Sequence, residues 1–204
     1  AMTSKLSGVS DYYATLDKIN VPTTVSGRVT AEFEMAEPGK FAATNPEIYG
    51  QGSFSKKADC NGYEVIVDTK GTLLWPDAAD MEKPYLILTG ENVTKEYLDY
   101  LDGQHISWIA CGKKNVDLVR AVEILSEQFH VERMGIVGGP KINTAFLKAG
   151  LLDEISILIG AGIDGRGGMP AVFDGLEMSH DVTALKLTDV QKFDSGAVWI
   201  RYAV

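Results

Sequence analysis

Cysteine is nearly missing. Cys60 and Cys111 are the two in 204 residues, far apart and in no C-x-x-C pair, which argues against a disulfide framework and a structural zinc site. Both read as buried free thiols. Positive charge is also scarce: 19 Lys and Arg against 28 Asp and Glu leave a net charge of -9, a sign that repels phosphate polyanions and acidic membranes. Nucleic acid and membrane are therefore not expected partners. A small anionic ligand is still allowed, because backbone N–H groups at a helix start hold one phosphate whatever the global sign. No apolar run approaches the ~20 residues that span a bilayer, and the first residues do not read as a signal peptide. The expectation is a cytoplasmic protein. His105, His130 and His180 have no spacing that suggests a metal site or a triad, and read as structural. No internal repeat or low-complexity tract occurs.

What is present is a globular chain, 45% hydrophobic, long enough to bury a continuous core as one domain over 1–204. From Tyr85 onward apolar runs alternate with helical patterns. Residues 85–89 (YLILT) read as a buried strand, followed by a helix capped by Asn92 or Thr94, running through Leu101 and stopped at Gly103. Residues 106–111 read as another strand. Leu118, Val119, Val122, Leu125 and Phe129 fall on one face of a helix capped by Asn115 or Asp117. Residues 134–137 form a short strand, Gly138 and Gly139 its turn, 142–149 a helix ended at Gly150, and 155–159 (ISILI) the next strand. Stretches 183–190 and 197–202, joined near Asp194-Ser195-Gly196, read as a hairpin. In the first half, 11–19 and 28–35 read as helices and 23–26 and 63–67 as strands, while 36–61, with its glycines and prolines, reads as a mobile or functional loop. The predicted architecture is three-layer α/β/α, with a mixed, mostly parallel sheet and a C-terminal antiparallel hairpin.

Several turns offer chemistry. The pattern G-x-G-x-x-G occurs at Gly160, Gly162 and Gly165, but Arg166-Gly167-Gly168-Met169-Pro170 follows and cannot start the helix that a dinucleotide fingerprint needs. It reads as a glycine-rich loop. Gly138-Gly139-Pro140-Lys141 does lie between a strand and a helix; it suits close approach of a phosphate to unpaired N–H groups, or is a plain turn. Gly27, Arg28 and Thr30 repeat that shape and either hold a phosphate or are a turn, a surface charge and a first-turn residue. Asp68-Thr69-Lys70-Gly71 can read a ribose or its 2′-phosphate, or is a turn signal. Of the pair Asp153-Glu154, either one acid faces a cleft while the other is solvated, or both are surface acids of the kind common before a strand.

These residues in this order resemble the RibD C-terminal domain family, which shares the dihydrofolate reductase fold. The match is carried by Ile136-Val137-Gly138-Gly139-Pro140-Lys141-Ile142-Asn143, by Gly150-Leu151-Leu152-Asp153-Glu154-Ile155, and by the glycine-rich stretch 160–173. The resemblance implies an NADPH-dependent reductase whose small-molecule substrate is a pyrimidine, such as 5-amino-6-(5-phosphoribosylamino)uracil in riboflavin synthesis, or a pterin-like ring. It implies NADPH phosphates on Gly27, Arg28, Thr30 and on Gly138, Gly139, Pro140, Lys141 and Ile142, with Asp68 and Thr69 near the adenosine. Substrate would face Thr3, Ser4 and Glu154, the candidate catalytic acid. It implies a homodimer, for which the hairpin offers an edge. The family's strand before Met2 is absent from this sequence, so a trimmed start is expected, and Ser7 stands where the family carries Asp. The zinc deaminase signature, H-x-E with P-C-x-x-C, is absent too. Alternative readings are an NADP(H)-binding module without turnover and a phosphate-ester-binding α/β enzyme.

Overall fold

The structure, a computed structural model, describes residues 9–169 and 171–204. Its elements in chain order are α1 (Val9–Ile19), β1 (Thr23–Gly27), α2 (Arg28–Glu34), β2 (Ser53–Ser55), β3 (Glu64–Val67), β4 (Tyr85–Thr89), α3 (Lys95–Gly103), β5 (Ser107–Ala110), α4 (Leu118–Phe129), β6 (Met134–Gly138), α5 (Pro140–Lys148), β7 (Glu154–Ile159), β8 (Lys186–Lys192) and β9 (Val198–Ala203). Six strands make a sheet in the order β2-β5-β4-β3-β1-β6. All its pairs are parallel except β2 with β5.

Strand alternation divides the core between two faces. Ile66, Ile87 and Ala110 point toward α3, where Tyr97, Leu98 and Leu101 are buried, and toward Ala31 of α2. Val65, Leu86, Leu88 and Ile109 point the other way, onto Ala121, Ile124, Leu125 and Phe129 of α4 and Ile142 and Phe146 of α5. Helices on both faces of a mostly parallel sheet give the expected three layers. Thr94 and Asp117 cap α3 and α4 through their side chains. Cys111 is buried, and burial pushes its thiol up to about 11; Cys60 is only half-buried, against the expectation of two buried thiols.

Two expectations are refined. Segment 36–61 is not a mobile loop: it contains β2, which pairs with β5, and Phe41 and Tyr49 pack against Tyr97 and Trp108. Glu96 accepts from the backbone N–H groups of Thr44 and Asn45 at 2.7 and 2.8 Å. Its glycines and prolines prevent a long regular element, but its aromatics bury apolar area on the α3 face, and that pins it. The hairpin β8–β9, for its part, pairs with β7 in a separate three-stranded antiparallel sheet, in the order β7-β9-β8. Helix α1 lies against this sheet: Lys18 sits over the rings of Phe193 and Trp199, and Ser195 donates to Asp11 at 2.5 Å.

Candidate functional site

Each parallel strand of the six-stranded sheet runs into a glycine at or shortly after its carboxyl end: Gly27, Gly71, Gly90, Gly112 and Gly138. Gly27 ends β1 and is the N-cap of α2, and Gly138 ends β6 while Gly139 is the N-cap of α5; neither helix start is capped by a side chain. The two turns are neighbours, since Ser26 pairs with Gly138 across the ladder. A Cβ placed on Gly27 would stand 3.7 Å from Ile142 Cβ and 3.9 Å from the Gly138 carbonyl oxygen. One on Gly139 would meet only Thr30 Oγ1, at 3.9 Å. The peptide bond between Gly138 and Gly139 is cis. The first turns of α2 and α5 thus meet over an open space bounded by Thr30 and Ile142. In the first turn of the nine-residue α5 Pro140 has no N–H and Ile142 and Asn143 donate to the Gly139 carbonyl at 3.0 and 3.1 Å, so what the junction offers an anion is the Lys141 N–H and the positive end of the helix. Pro140 stands at the start of α5, where its missing N–H costs nothing. Lys141 is exposed beside it, and Arg28 is held by Glu32 at 2.6 Å. The Ser26 hydroxyl, fully buried at this junction, has no hydrogen-bond partner.

Farther along the same edge, the ends of β3, β4 and β5 are tied together. Gly90 N–H donates to the Thr69 carbonyl at 3.0 Å, Glu91 N–H to the Gly112 carbonyl at 2.9 Å, and Gly112 N–H to Glu91 Oε1 at 3.1 Å. Sequence reasoning passed over Gly90 and Gly112. The signal was there, a glycine shortly after each of two all-buried strands, but neither is followed at once by a helix, as Gly27 and Gly139 are.

Asp68 is placed differently from the expectation that it faces an adenosine. It is fully buried, and its carboxylate accepts from the N–H groups of Thr72 and Leu73 at 2.6 and 2.9 Å and from the Tyr97 hydroxyl at 3.3 Å. It shapes the turn from inside, while Thr69 and Lys70 are left at the surface. Replacing Asp68 by Ala would leave the Thr72 and Leu73 N–H groups without their acceptor, while the Tyr97 hydroxyl keeps the Leu73 carbonyl at 3.2 Å, and is expected to cost about 2 kcal/mol or more. Denaturant unfolding measures this; wild-type stability in the variant would return Asp68 to a ligand-facing role.

Glu154 opens β7 on the second sheet and is held on both oxygens by Arg201 of β9, at 2.9 and 2.7 Å. That pairing pushes the guanidinium further up. Thr3 and Ser4 lie outside the described residues. The G-x-G-x-x-G run starting at Gly160 follows β7 into an irregular segment, with no helix before β8 among the described residues. His105 and His130 both adopt positive φ at turns, and His105 contacts Asp77 at 2.9 Å.

The chain matches the family model of the RibD C-terminal domain over residues 27–199. The chain belongs to the RibD C-terminal domain family. Among solved structures, this RibD C-terminal domain resembles a pyrimidine reductase-like protein from Corynebacterium diphtheriae, with a TM-score of 0.68 at 18% identity over 98% of this chain and 85% of that one. It resembles RibD of Acinetobacter baumannii with a TM-score of 0.63 at 18% identity, over 98% of this chain and 51% of that one. A third is the diaminohydroxyphosphoribosylaminopyrimidine deaminase/5-amino-6-(5-phosphoribosylamino)uracil reductase of Thermotoga maritima, with a TM-score of 0.59 at 16% identity, over 94% of this chain and 48% of that one. The domain spans about half the length of the last two proteins. The shared fold is the dihydrofolate-reductase-like one. Among the described residues no helix is long and apolar enough to cross a membrane.

Proposed function

We propose that this RibD C-terminal domain, as a single cytoplasmic domain, is an NADPH-dependent reductase acting on a ribosylamino-pyrimidine of the kind named for the Thermotoga maritima protein, 5-amino-6-(5-phosphoribosylamino)uracil. The observation that carries the reading is the open junction of two uncapped helix starts at Gly27 and Gly139, bounded by Thr30 and Ile142. It lies at the carboxyl end of a parallel sheet, where α/β folds take their ligands. A Cβ on Gly139 would fill space that a phosphate can use, and Thr30 offers a hydroxyl beside it. The residues present therefore fit a dinucleotide, with Gly138, Gly139, Pro140, Lys141 and Ile142 on one side of its phosphates and Gly27, Arg28 and Thr30 on the other. Thr69 and Lys70 stand at the adenosine end.

The bound nicotinamide supplies the hydride; the chain's own task is to hold the two rings against each other and keep water out. In this reading Glu154 and Arg201 present a carboxylate and a guanidinium together, which suits hydrogen-bond recognition of a polar pyrimidine edge. The experiment is a titration of the purified protein with NADPH and with NADH, followed by nicotinamide fluorescence and then by turnover of the ribosylamino-pyrimidine. Binding of NADPH with a Kd on the order of micromolar, with weaker NADH binding and turnover lost in Glu154→Gln, is the expected result. Folded protein that ignores both nucleotides but takes up phosphate esters would end the reductase reading. A second reading, an NADP(H)-binding module without turnover, is favoured by the engagement of both Glu154 oxygens by Arg201; binding without reduction of any pyrimidine or pterin would select it.

A further inference from the structure

Buried polar groups nearly always have hydrogen-bond partners, so an exception calls for a reason. Among the described residues three buried side-chain atoms have none: Ser26 Oγ, Thr89 Oγ1 and Asn143 Oδ1. Ser26 and Thr89 stand at the carboxyl ends of β1 and β4, and Asn143 in the first turn of α5, where its N–H donates to the Gly139 carbonyl. All three lie at the edge of the sheet that carries the glycine junction. Ser26 and Thr89 are enclosed on all sides. Asn143 is only half-buried, and its side chain is the one of the three that a ligand can reach.

The Asn143 amide has a fixed orientation. Its Nδ2 donates to the Val172 carbonyl at 2.8 Å, and turning the amide over would set two carbonyl oxygens against each other. Oδ1 is therefore an acceptor that lacks a donor. A helical side chain leans toward the amino end of its helix and covers the turn before it. With Gly139 as the N-cap, Gly138 and Asn143 occupy the two positions whose side chains meet at many helix starts. Gly138 has no side chain, and a Cβ there would find nothing within 4 Å, so there is room beside Asn143 over the first turn of α5. Segment 171–174, which lies against it, is irregular and is tied to α5 by Asn143 and by Asp174 N–H donating to Thr144 Oγ1 at 2.9 Å. A segment held in this way gives at small cost.

We propose that Asn143 is a specificity-determining residue whose Oδ1 accepts a hydrogen bond from a hydroxyl of the nicotinamide ribose. The inference rests on the dinucleotide reading of the junction and adds a ribose contact to it. The bridging phosphates of a dinucleotide carry no proton at neutral pH, so they offer Oδ1 nothing, whereas the ribose hydroxyls next to them donate. Sheet order chooses between the two riboses. The adenosine end stands at Thr69 and Lys70 after β3, the phosphates at the junction of β1 and β6, and these strands follow one another as β3-β1-β6. The nicotinamide half continues to the β6 side, where α5 begins. A phosphate ester without this ribose leaves Oδ1 unpaired and binds less well for it.

The test is a cycle of two ligands and two proteins. NADPH and its analogue lacking both hydroxyls of the nicotinamide ribose are titrated, by nicotinamide fluorescence, into wild type and into Asn143→Leu, which keeps the size of the side chain and loses the acceptor. Thermal melting checks the fold, and Asn143→Ala takes the place of a leucine variant that does not fold. Thr144→Val is the control, because it removes the other tie of segment 171–174 and leaves Asn143 in place. The analogue is expected to bind wild type about tenfold more weakly than NADPH, the loss of one hydrogen bond. Asn143→Leu should bind both ligands at that weaker level, and Thr144→Val should bind NADPH as wild type does. An unchanged NADPH Kd in Asn143→Leu overturns the proposal, as do losses from ligand and protein that multiply. An equal loss in Thr144→Val overturns it too, since Asn143 then acts as a tie for the segment. In each of these outcomes wild type still binds NADPH and the reductase reading stands; a wild type that binds no NADPH ends that reading and this proposal together.

Discussion

Gly139→Val is expected to lower NADPH affinity by about a hundredfold or more, a loss of about 2.7 kcal/mol, while the protein still folds. The reasoning is steric and local. Gly139 has an ordinary extended φ of -86°, which any residue adopts. A Cβ there meets nothing nearer than Thr30 Oγ1 at 3.9 Å. The isopropyl group therefore finds room in the folded protein, but the room it takes is the space over the first turns of α5 and α2. A phosphate that must approach the backbone to within hydrogen-bond distance then meets two methyl groups. The stability cost should be near that of exchanging glycine for a β-branched residue at an N-cap, about 1 kcal/mol, a shift of a few degrees in Tm for a chain of this size. Fluorescence titration and a thermal melt on the same sample separate the two effects. Unchanged NADPH affinity would remove the phosphates from this junction, and a collapse of Tm with no measurable fold would mean that the turn is structural first.

The fold was legible mainly where burial leaves a strong pattern. The run 85–89 and the stripe from Leu118 to Phe129 declare a strand and a helix because one is buried throughout and the other along one side. The junction at Gly138 and Gly139 was legible as a strand-to-helix turn, because a glycine pair between an apolar run and a helical pattern punctuates the chain there. Two features were hidden. Segment 36–61 reads as loose because glycine and proline dominate local propensity, whereas what fixes it is long-range: Glu96 on α3 and the rings around Tyr97. The role of Asp68 was hidden because a carboxylate at a turn looks the same in sequence whether it faces a ligand or folds inward. Only the N–H groups of Thr72 and Leu73, four and five residues on, decide that. The separation of β7, β8 and β9 into their own sheet is a question of strand pairing, which periodicity does not encode.

Inward folding of that turn sets the second large effect. Gly71→Ala is expected to destabilise the protein by about 3 kcal/mol or more, among the largest single-residue losses outside deletion of a core side chain. Two causes add. Gly71 has φ +65°, where a side chain costs about 1–2 kcal/mol. The new Cβ would also stand 2.3 Å from Tyr97 Cδ1 and 2.7 Å from Val93 Cγ2. Tyr97 cannot give way cheaply: it is fully buried, it accepts from Trp75 Nε1 at 3.0 Å, and it donates toward Asp68 and the Leu73 carbonyl. Burial also pushes its phenol well above the usual tyrosine range. Gly50→Ala is the control that separates strain from overlap. Its φ is +73°, but nothing lies within 4 Å of the added Cβ, so it should lose only the conformational part, about 1–2 kcal/mol. Urea unfolding of both variants reads the difference. Equal losses would mean that Tyr97 shifts freely, and then the ring does not hold the 68–73 turn against the sheet. A Gly71 loss well beyond the Gly50 loss, together with weaker NADPH binding in Gly71→Ala under native conditions, would tie the packing of α3 to the proposed adenosine end at Thr69 and Lys70.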